Sequence, residues 1–300
     1  MKTTKKTILV IIALIVALTA ILAACGGEKD IAVIARTSGS GTRDAFESIV
    51  KSEDGTSLKD AGLMKGAIEQ DKTSAVISLV ASTKTGIGYV SLGSVDDSVK
   101  VLNVEGVQAN AENVLSGEYK MQRPFVIMTN KALTEEGRLT PATQDFVKFL
   151  KSTQAQQIVE EEGYVKQEEG ASEYTAPAEN LSGNIAVSGS TSVDPLMDKL
   201  IGKYKEIGGA KVAGVEISKN CQGTSHGISA VKADTAGNAI GLGSSAVKQA
   251  DEAQIAHFSI ALDAIAVIVH PENTLEDISV AQLFDIYTGK IVKFSALAAA

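Results

Sequence analysis

Residues 34–46 read IARTSGSGTRDAF. Two arginines, Arg36 and Arg43, flank Gly39-Ser40-Gly41-Thr42, a turn with almost no side-chain bulk. An apolar run, IAVIA at 31–35, leads into it, and RDAFESIV at 43–50 follows with helical character. A helix begins with N–H groups that lack internal partners, and its dipole adds partial positive charge there. Glycine lets the backbone approach closely, and hydroxyls add donors, so a small oxyanion fits at such a turn. One such turn is weak evidence, because Gly/Ser turns before helices are also ordinary caps.

The pattern recurs. NIAVSGSTS at 184–192 leads into VDPLMDKLIGKYKEI at 193–207, and VEISKNCQGTS at 215–225 leads into HGISAVKA at 226–233. In the first of these, Asp194-Pro195 suits an N-cap and first-turn pair. Leu196, Leu200, Ile201 and Tyr204 fall on one face, and Gly208-Gly209 suits a helix end. Strand-like and helix-like runs alternate along the chain, which implies an α/β architecture. Three turns of one kind, one carrying Arg36, predict convergent loops that enclose an anion.

Composition narrows the chemistry. Lys2, Lys5 and Lys6 precede the apolar run ILVIIALIVALTAIL, the pattern of a signal sequence over residues 1–24. LAAC at 22–25 resembles the lipobox of bacterial lipoproteins, which would make Cys25 the lipidated first residue, with 25–30 as a tether. The alternative is a plain signal anchor, since the run is nearly long enough to span a bilayer. On the first reading the chain is extracytoplasmic and lipid-anchored to the cell membrane. Removing three lysines from 28 basic residues leaves 25 against 36 acidic ones, a net charge of −11 over about 275 residues. That surface argues against nucleic acid and anionic membrane as partners. Cys25 and Cys221 are the two cysteines, so with Cys25 lipidated no internal disulfide forms, and Cys221 reads as a small buried residue. His226, His257 and His270 are scattered, without the clustering of a metal site. No G-x-x-x-x-G-K-[ST] loop occurs, and Ser40 has no activating base nearby in sequence. The chain reads as a binding protein, not an enzyme, and needs no cofactor.

Several segments together resemble the phosphate-binding proteins of bacterial phosphate ABC importers. They are ARTSGSGTRDAFE (35–47), VSGSTSVDPLMDKL (187–200), CQGTSHGISAV (221–231), IALDAIAVIVHPENT (260–274) and AQLFDIYTGKIVKF (281–294). TGIGYVSLGSV (85–95) and YKMQRPFVIMTNK (119–131) are similar as well. The resemblance implies a two-lobed periplasmic-binding-protein-like fold of type II, each lobe a sheet flanked by helices, with the ligand cleft between them. It implies inorganic phosphate as ligand, a membrane permease as partner, and a monomer.

The order departs from the family, where the SGSTSVDP-like segment comes first and the R..GSGT-like one follows the IYTGKI-like one. Here the sequence reads as circularly permuted, with 165–183 joining the family's usual ends; a truncated tandem is the alternative. RPFVIM (123–128) and DAIAVIV (263–269) would be the strands that cross between lobes. Lobe one would then be 123–271, and lobe two would be 28–122 plus 272–300. The C-terminal segment should pack its Leu283, Phe284 and Tyr287 beside Ile31–Ala35.

Carried over motif by motif, the resemblance implies phosphate contacts from Arg36, Ser40, Gly41, Thr42, Thr191, Ser192, Thr224, Ser225 and Ser245. Arg43 reads as a helix-surface residue. Where some members place an Asp to accept the proton that phosphate retains, this chain offers Ser244 and Ser245. Exclusion of sulfate is then open, and so is a relative that binds another oxyanion or none. Two further alternatives are a phosphoryl-transfer or hydrolytic enzyme, and an adhesion module built on the same scaffold.

Overall fold

The computed structural model describes residues 29–167 and 171–299. The leader, Cys25 and most of the tether lie outside these residues. The elements that place the site, in chain order, begin with β1 (Ala32–Arg36), α1 (Gly41–Ile49), β2 (Ile68–Gln70), α2 (Thr73–Ser82), β3 (Gly86–Ser91) and β4 (Gln122–Asn130). They continue with α3 (Pro141–Leu150), β5 (Val165–Lys166), β6 (Ser182–Gly189), α4 (Asp194–Gly208), β7 (Gly214–Cys221), α5 (Thr224–Ala233), β8 (Ala239–Gly243), β9 (Ile255–Val269) and α6 (Val280–Thr288).

The strands run in the order β2-β1-β3-β9-β4-β8-β6-β7, so one sheet passes through both lobes. β9 makes this possible. Its first part, Ile255–Ala264, pairs antiparallel with β4, and its last part, Ile265–Val269, pairs antiparallel with β3. The parallel pairs β1/β2, β1/β3, β8/β6 and β6/β7 need crossovers, which α1, α2, α4 and α5 supply.

Two sets of buried side chains fill the lobes. Around β1 lie Phe46, Tyr89, Tyr119, Leu283, Phe284 and Tyr287, together with Ile265, Val267 and Val269. Around β6 lie Phe125, Phe146, Phe149, Leu196, Leu200 and Tyr204. Residues 264–269 therefore pack in the Arg36 lobe, and the division falls near Asp263, not at 271–272 as the motif mapping placed it. The reason is the pairing of β9 with β3, which draws this stretch across.

The predicted faces of α4 hold: Leu196, Leu200 and Tyr204 are buried and Ile201 packs partly buried against them. Gly208 is the last helical residue and Gly209, at φ 51°, ends the helix. Asp194 is not the N-cap. It is the first helical residue, and its carboxylate pairs with Lys219 (2.6 Å) and accepts from Cys221 Sγ (3.3 Å). Cys221 is half-buried, and burial first, then Asp194, pushes its thiol up to about 12, so it is a poor nucleophile.

The polar segment 165–183 is more than a connection. Val165 and Lys166 pair with Leu262 and Ala261 of β9. Tyr174 is 2 % exposed, meets Phe149 edge-on at 5.4 Å, and donates to Asp145 Oδ2 (2.7 Å), which also accepts from Tyr204 (2.9 Å). An aromatic anchor in a polar stretch gives no periodic signal, which is why it reads as linker.

The first and last described segments meet in the Arg36 lobe. Ile31 N donates to Val292 O (2.8 Å), and Tyr287 Oη donates to Ile34 O (3.2 Å). Tyr287 also packs on Phe46 (4.8 Å) and Tyr89 (5.7 Å), while Phe46 and Tyr89 stack at 3.8 Å. Leu283, Phe284 and Tyr287 are buried there as the permuted reading expects. Replacing Tyr287 with Ala should destabilise the protein by about 3–5 kcal/mol through the lost ring and its cavity. Tyr287→Phe should cost about 1 kcal/mol through the lost hydrogen bond alone. Urea titration of both variants checks this, and an unaltered Tyr287→Ala midpoint would argue against the packing.

Candidate functional site

Four helices start at the carboxyl ends of parallel strands and point their N-termini at the junction of the lobes: α1 after β1, α2 after β2, α4 after β6 and α5 after β7. This is where open α/β sheets bind ligands. At α1, Ser40 is the N-cap and accepts from Arg43 N (3.4 Å). At α2, α4 and α5 no side chain caps the first turn.

The turn at 36–42 meets the other lobe directly. Thr42 Oγ1 lies 3.0 Å from Ser192 Oγ, and Arg36 Nη2 donates to Thr191 Oγ1 (3.0 Å). Thr73 Oγ1, at the start of α2, reaches Thr191 Oγ1 (3.1 Å) and Ser192 Oγ (3.2 Å). Ser225 N donates to Gly39 O (3.1 Å). A Cβ on Gly41 would run into Thr224 Oγ1 and stand 2.8 Å from Ser244 Oγ. Only glycine permits this approach. Gly39, at φ 86°, supplies the left-handed backbone that turns the chain into α1.

Arg36 is the centre. It is 1 % exposed. Its Nε donates to Gln70 O (3.2 Å), Nη1 to Thr73 Oγ1 (3.2 Å), and Nη2 to Asp71 O (2.7 Å) as well as to Thr191. Every partner is a carbonyl or a hydroxyl. Burial, above all, lowers its pKa to about 10, with Tyr89 and Asp71 opposing and Arg123 adding to the effect, so it remains cationic at neutral pH. Among the described residues no carboxylate stands within ion-pair distance of it.

Arg43 has a different role. Its guanidinium is held by Glu47 (2.6 Å) and Glu69 (3.0 Å), and Nη1 donates to Arg36 O (3.0 Å). Its charge is satisfied on the helix surface, where it braces the Arg36 backbone.

Of the residues singled out in the sequence, Arg36, Gly41, Thr42, Thr191, Ser192 and Thr224 come together, and the buried Ser40 caps the same turn. Ser225 is exposed and covers Gly39 from outside. Ser245 lines a separate pocket with Asp44, Ser48 and Lys248. Its neighbour Ser244 is the one that turns inward, with Oγ 3.3 Å from Thr224 Oγ1 and N donating to that same oxygen (3.1 Å). Thr73 escaped sequence reasoning, because the strand before it is three half-exposed residues and its turn, Asp71-Lys72, has no glycine. Beside Thr73 and Thr191 a groove of about 560 Å³ opens to solvent between Lys72, Gly93 and Lys219. Among the described residues no group of three or more His, Cys, Asp or Glu is placed to hold a metal ion.

Comparison with known proteins agrees with this architecture. Residues 16–154 and 174–300 match the family model of a PBP superfamily domain. The phosphate-binding protein PstS 2 of Streptococcus pneumoniae serotype 4 is 38% identical over 287 residues, covering 92% of this chain and 94% of that one. A crystal structure of a phosphate ABC transporter phosphate-binding protein from S. pneumoniae TIGR4 superposes with a TM-score of 0.66 at 38% identity, over 89% of this chain and 99% of the other. The Bacillus subtilis phosphate-binding protein PstS is 30% identical over 142 residues, but only 47% of this chain and 43% of that one align. The end-to-end match means that this order of segments is that of PstS 2. With four helix N-termini facing a cleft between two lobes, and relatives of this kind over about nine-tenths of its length, the chain belongs to the PBP superfamily, in the family of the phosphate-binding proteins.

Proposed function

We propose that this protein captures inorganic phosphate outside the cytoplasm, in the cleft around Arg36, and delivers it to the membrane permease of an ABC importer. The single observation that carries the reading is the buried Arg36 cation, which among the described residues has no carboxylate within ion-pair distance. A buried charge is costly unless it is paired, and helix N-termini add positive potential rather than relieve it. A small oxyanion supplies the missing charge and accepts from the surrounding hydroxyls, exchanging the Arg36–Thr191 contact for contacts to itself. The names of the relatives at 38% identity support phosphate in particular. In this reading Arg36, Ser40, Gly41, Thr42, Thr73, Thr191, Ser192, Thr224 and Ser244 hold the anion. Ser225 covers the turn from outside, and Ser245 lies in the separate pocket. Both lobes contribute donors, so the bound anion favours the closed arrangement. A lipid on Cys25 would keep the monomer beside its permease. The relatives are phosphate-binding proteins of transporters, which supports a role of binding and release.

Calorimetric titration with phosphate, sulfate and molybdate tests the ligand. Arg36→Met should bind phosphate at least about tenfold more weakly, since a charge-assisted donor is lost from a desolvated site. The same variant should melt at or above the wild-type temperature, because an unpaired buried charge is removed. Arg43→Ala should change affinity less than about threefold and cost about 1–3 kcal/mol of stability, since its bonds to Glu47 and the Arg36 carbonyl are largely shielded. Equal losses of affinity from the two arginines would place the site elsewhere.

Gly41→Ala probes closure. Its methyl meets Thr224 and Ser244 across the cleft, so phosphate affinity should fall at least about tenfold while the melting temperature stays within a few degrees. Unchanged affinity would mean that the two loops do not close on the anion.

The contacts to Arg36 and its neighbours are hydroxyls and carbonyls, which accept a P–OH proton but do not repel sulfate as a carboxylate does. Phosphate should therefore be preferred over sulfate by roughly 10- to 100-fold, the worth of one unmade buried hydrogen bond. A preference of about 10⁴-fold or more would require a carboxylate in the cleft.

A further inference from the structure

A second arginine is buried as deeply as Arg36 and does not face the cleft. Arg123, on β4, is 2 % exposed and lies directly opposite Asp263 of β9, which is 1 % exposed. Nε and Nη2 of Arg123 both donate to Asp263 Oδ2, at 3.1 and 3.0 Å. The remaining arm, Nη1, donates to Ser244 O (3.0 Å). Asp263 Oδ1 accepts from Ser91 Oγ (2.8 Å), at the end of β3, and the carboxylate also accepts from the Leu92 backbone. The guanidinium stands 5.3 Å from the centre of the Phe125 ring.

Stability does not explain this pair, because buried ion pairs are often replaced by apolar side chains at no loss. Its connections do. The pair sits where β4 and β9 pass between the lobes. One end is gripped by the Arg36 lobe through Ser91 and Leu92. The other end grips the opposite lobe at Ser244, whose hydroxyl meets Thr224 and approaches Gly41.

We propose that Arg123 and Asp263 form a clamp at the lobe junction that positions Ser244 for the anion, making Arg123 a positioning residue of the cleft. The inference rests on the oxyanion reading of the Arg36 site. Only a guanidinium does this job, since its planar fork serves Asp263 with two N–H groups and still has an arm for Ser244. Lysine keeps the charge but offers a single point.

The experiment is a double-mutant cycle on phosphate affinity, with thermal melting of each variant as the folding control. Arg123→Lys should weaken phosphate binding about fivefold or more, and in the Ser244→Ala background its effect should shrink to within about twofold. A merely structural role would lower stability and affinity alike in both backgrounds. Additive losses in a wild-type protein that binds phosphate would overturn the clamp alone. A wild-type protein without affinity for phosphate would overturn the parent reading, and the clamp with it. If Arg123→Lys does not fold, Ser91→Ala replaces it in the cycle. It should weaken binding about threefold, again non-additively with Ser244→Ala, and additive losses or wild-type affinity would overturn the clamp.

Discussion

A cation inside a protein needs a counter-charge, and among the described residues Arg36 has no carboxylate within ion-pair distance. Everything near it is arranged around that deficit. Gln70 and Asp71 offer backbone carbonyls, Thr73 and Thr191 offer hydroxyls, and burial pulls the pKa down to about 10 without neutralising the group. Carbonyls and hydroxyls spread a charge without cancelling it, so the cleft stays receptive to an anion. Arg123 shows the opposite solution, its charge closed off by Asp263 a few residues from the same cleft. The first arrangement leaves room for a ligand and the second makes a joint.

The segment order follows from where the contacts are. The lobe that holds Arg36 is assembled from the beginning of the chain and from its last helix, joined by Tyr287 on Phe46 and Tyr89 and by Val292 on Ile31. A chain whose strands pair with the same neighbours reaches the same fold wherever its ends fall, provided that the cut lies in an exposed connection. The former ends would be joined through 165–183, and Tyr174 anchors that connection in the core of the other lobe. The stretch therefore behaves as part of a domain and not as a spacer.

Much of this was legible in the residues, for reasons that are local. Strand, Gly/Ser turn and helix announce themselves by period and by small side chains, so the turns at Arg36, Thr191 and Thr224 could be read off and expected to converge. Leu283, Phe284 and Tyr287 declared their face by spacing. What sequence could not convey depends on distance and direction. Thr73 belongs to the cleft, yet its approach strand is three residues long and its turn has no glycine. Ser244 and Ser245 are adjacent, and only the end of β8 decides which one turns inward. Arg123 and Asp263 are far apart in the chain, and their pairing follows from the register of β4 on β9, which no local pattern encodes. The boundary between lobes shifted to 263 for the same reason, since a strand of fifteen residues serves two partners in turn.

The last constraint is the sign of the surface. The chain carries a net charge of −8, which repels an anion at a distance. That repulsion decays over about 8 Å at physiological ionic strength, whereas the donors of the cleft act at hydrogen-bond range in a desolvated pocket. Lys72 and Lys219 flank the groove beside Thr73 and Thr191, and although Asp194 and Asp198 hold Lys219, Lys72 is exposed at the start of α2. An acidic exterior disfavours polyanions, which must lie across the whole face, more than a small anion that meets the donors of the cleft at short range. On the proposed reading, discrimination against polyanions begins outside the cleft, before any contact with Arg36.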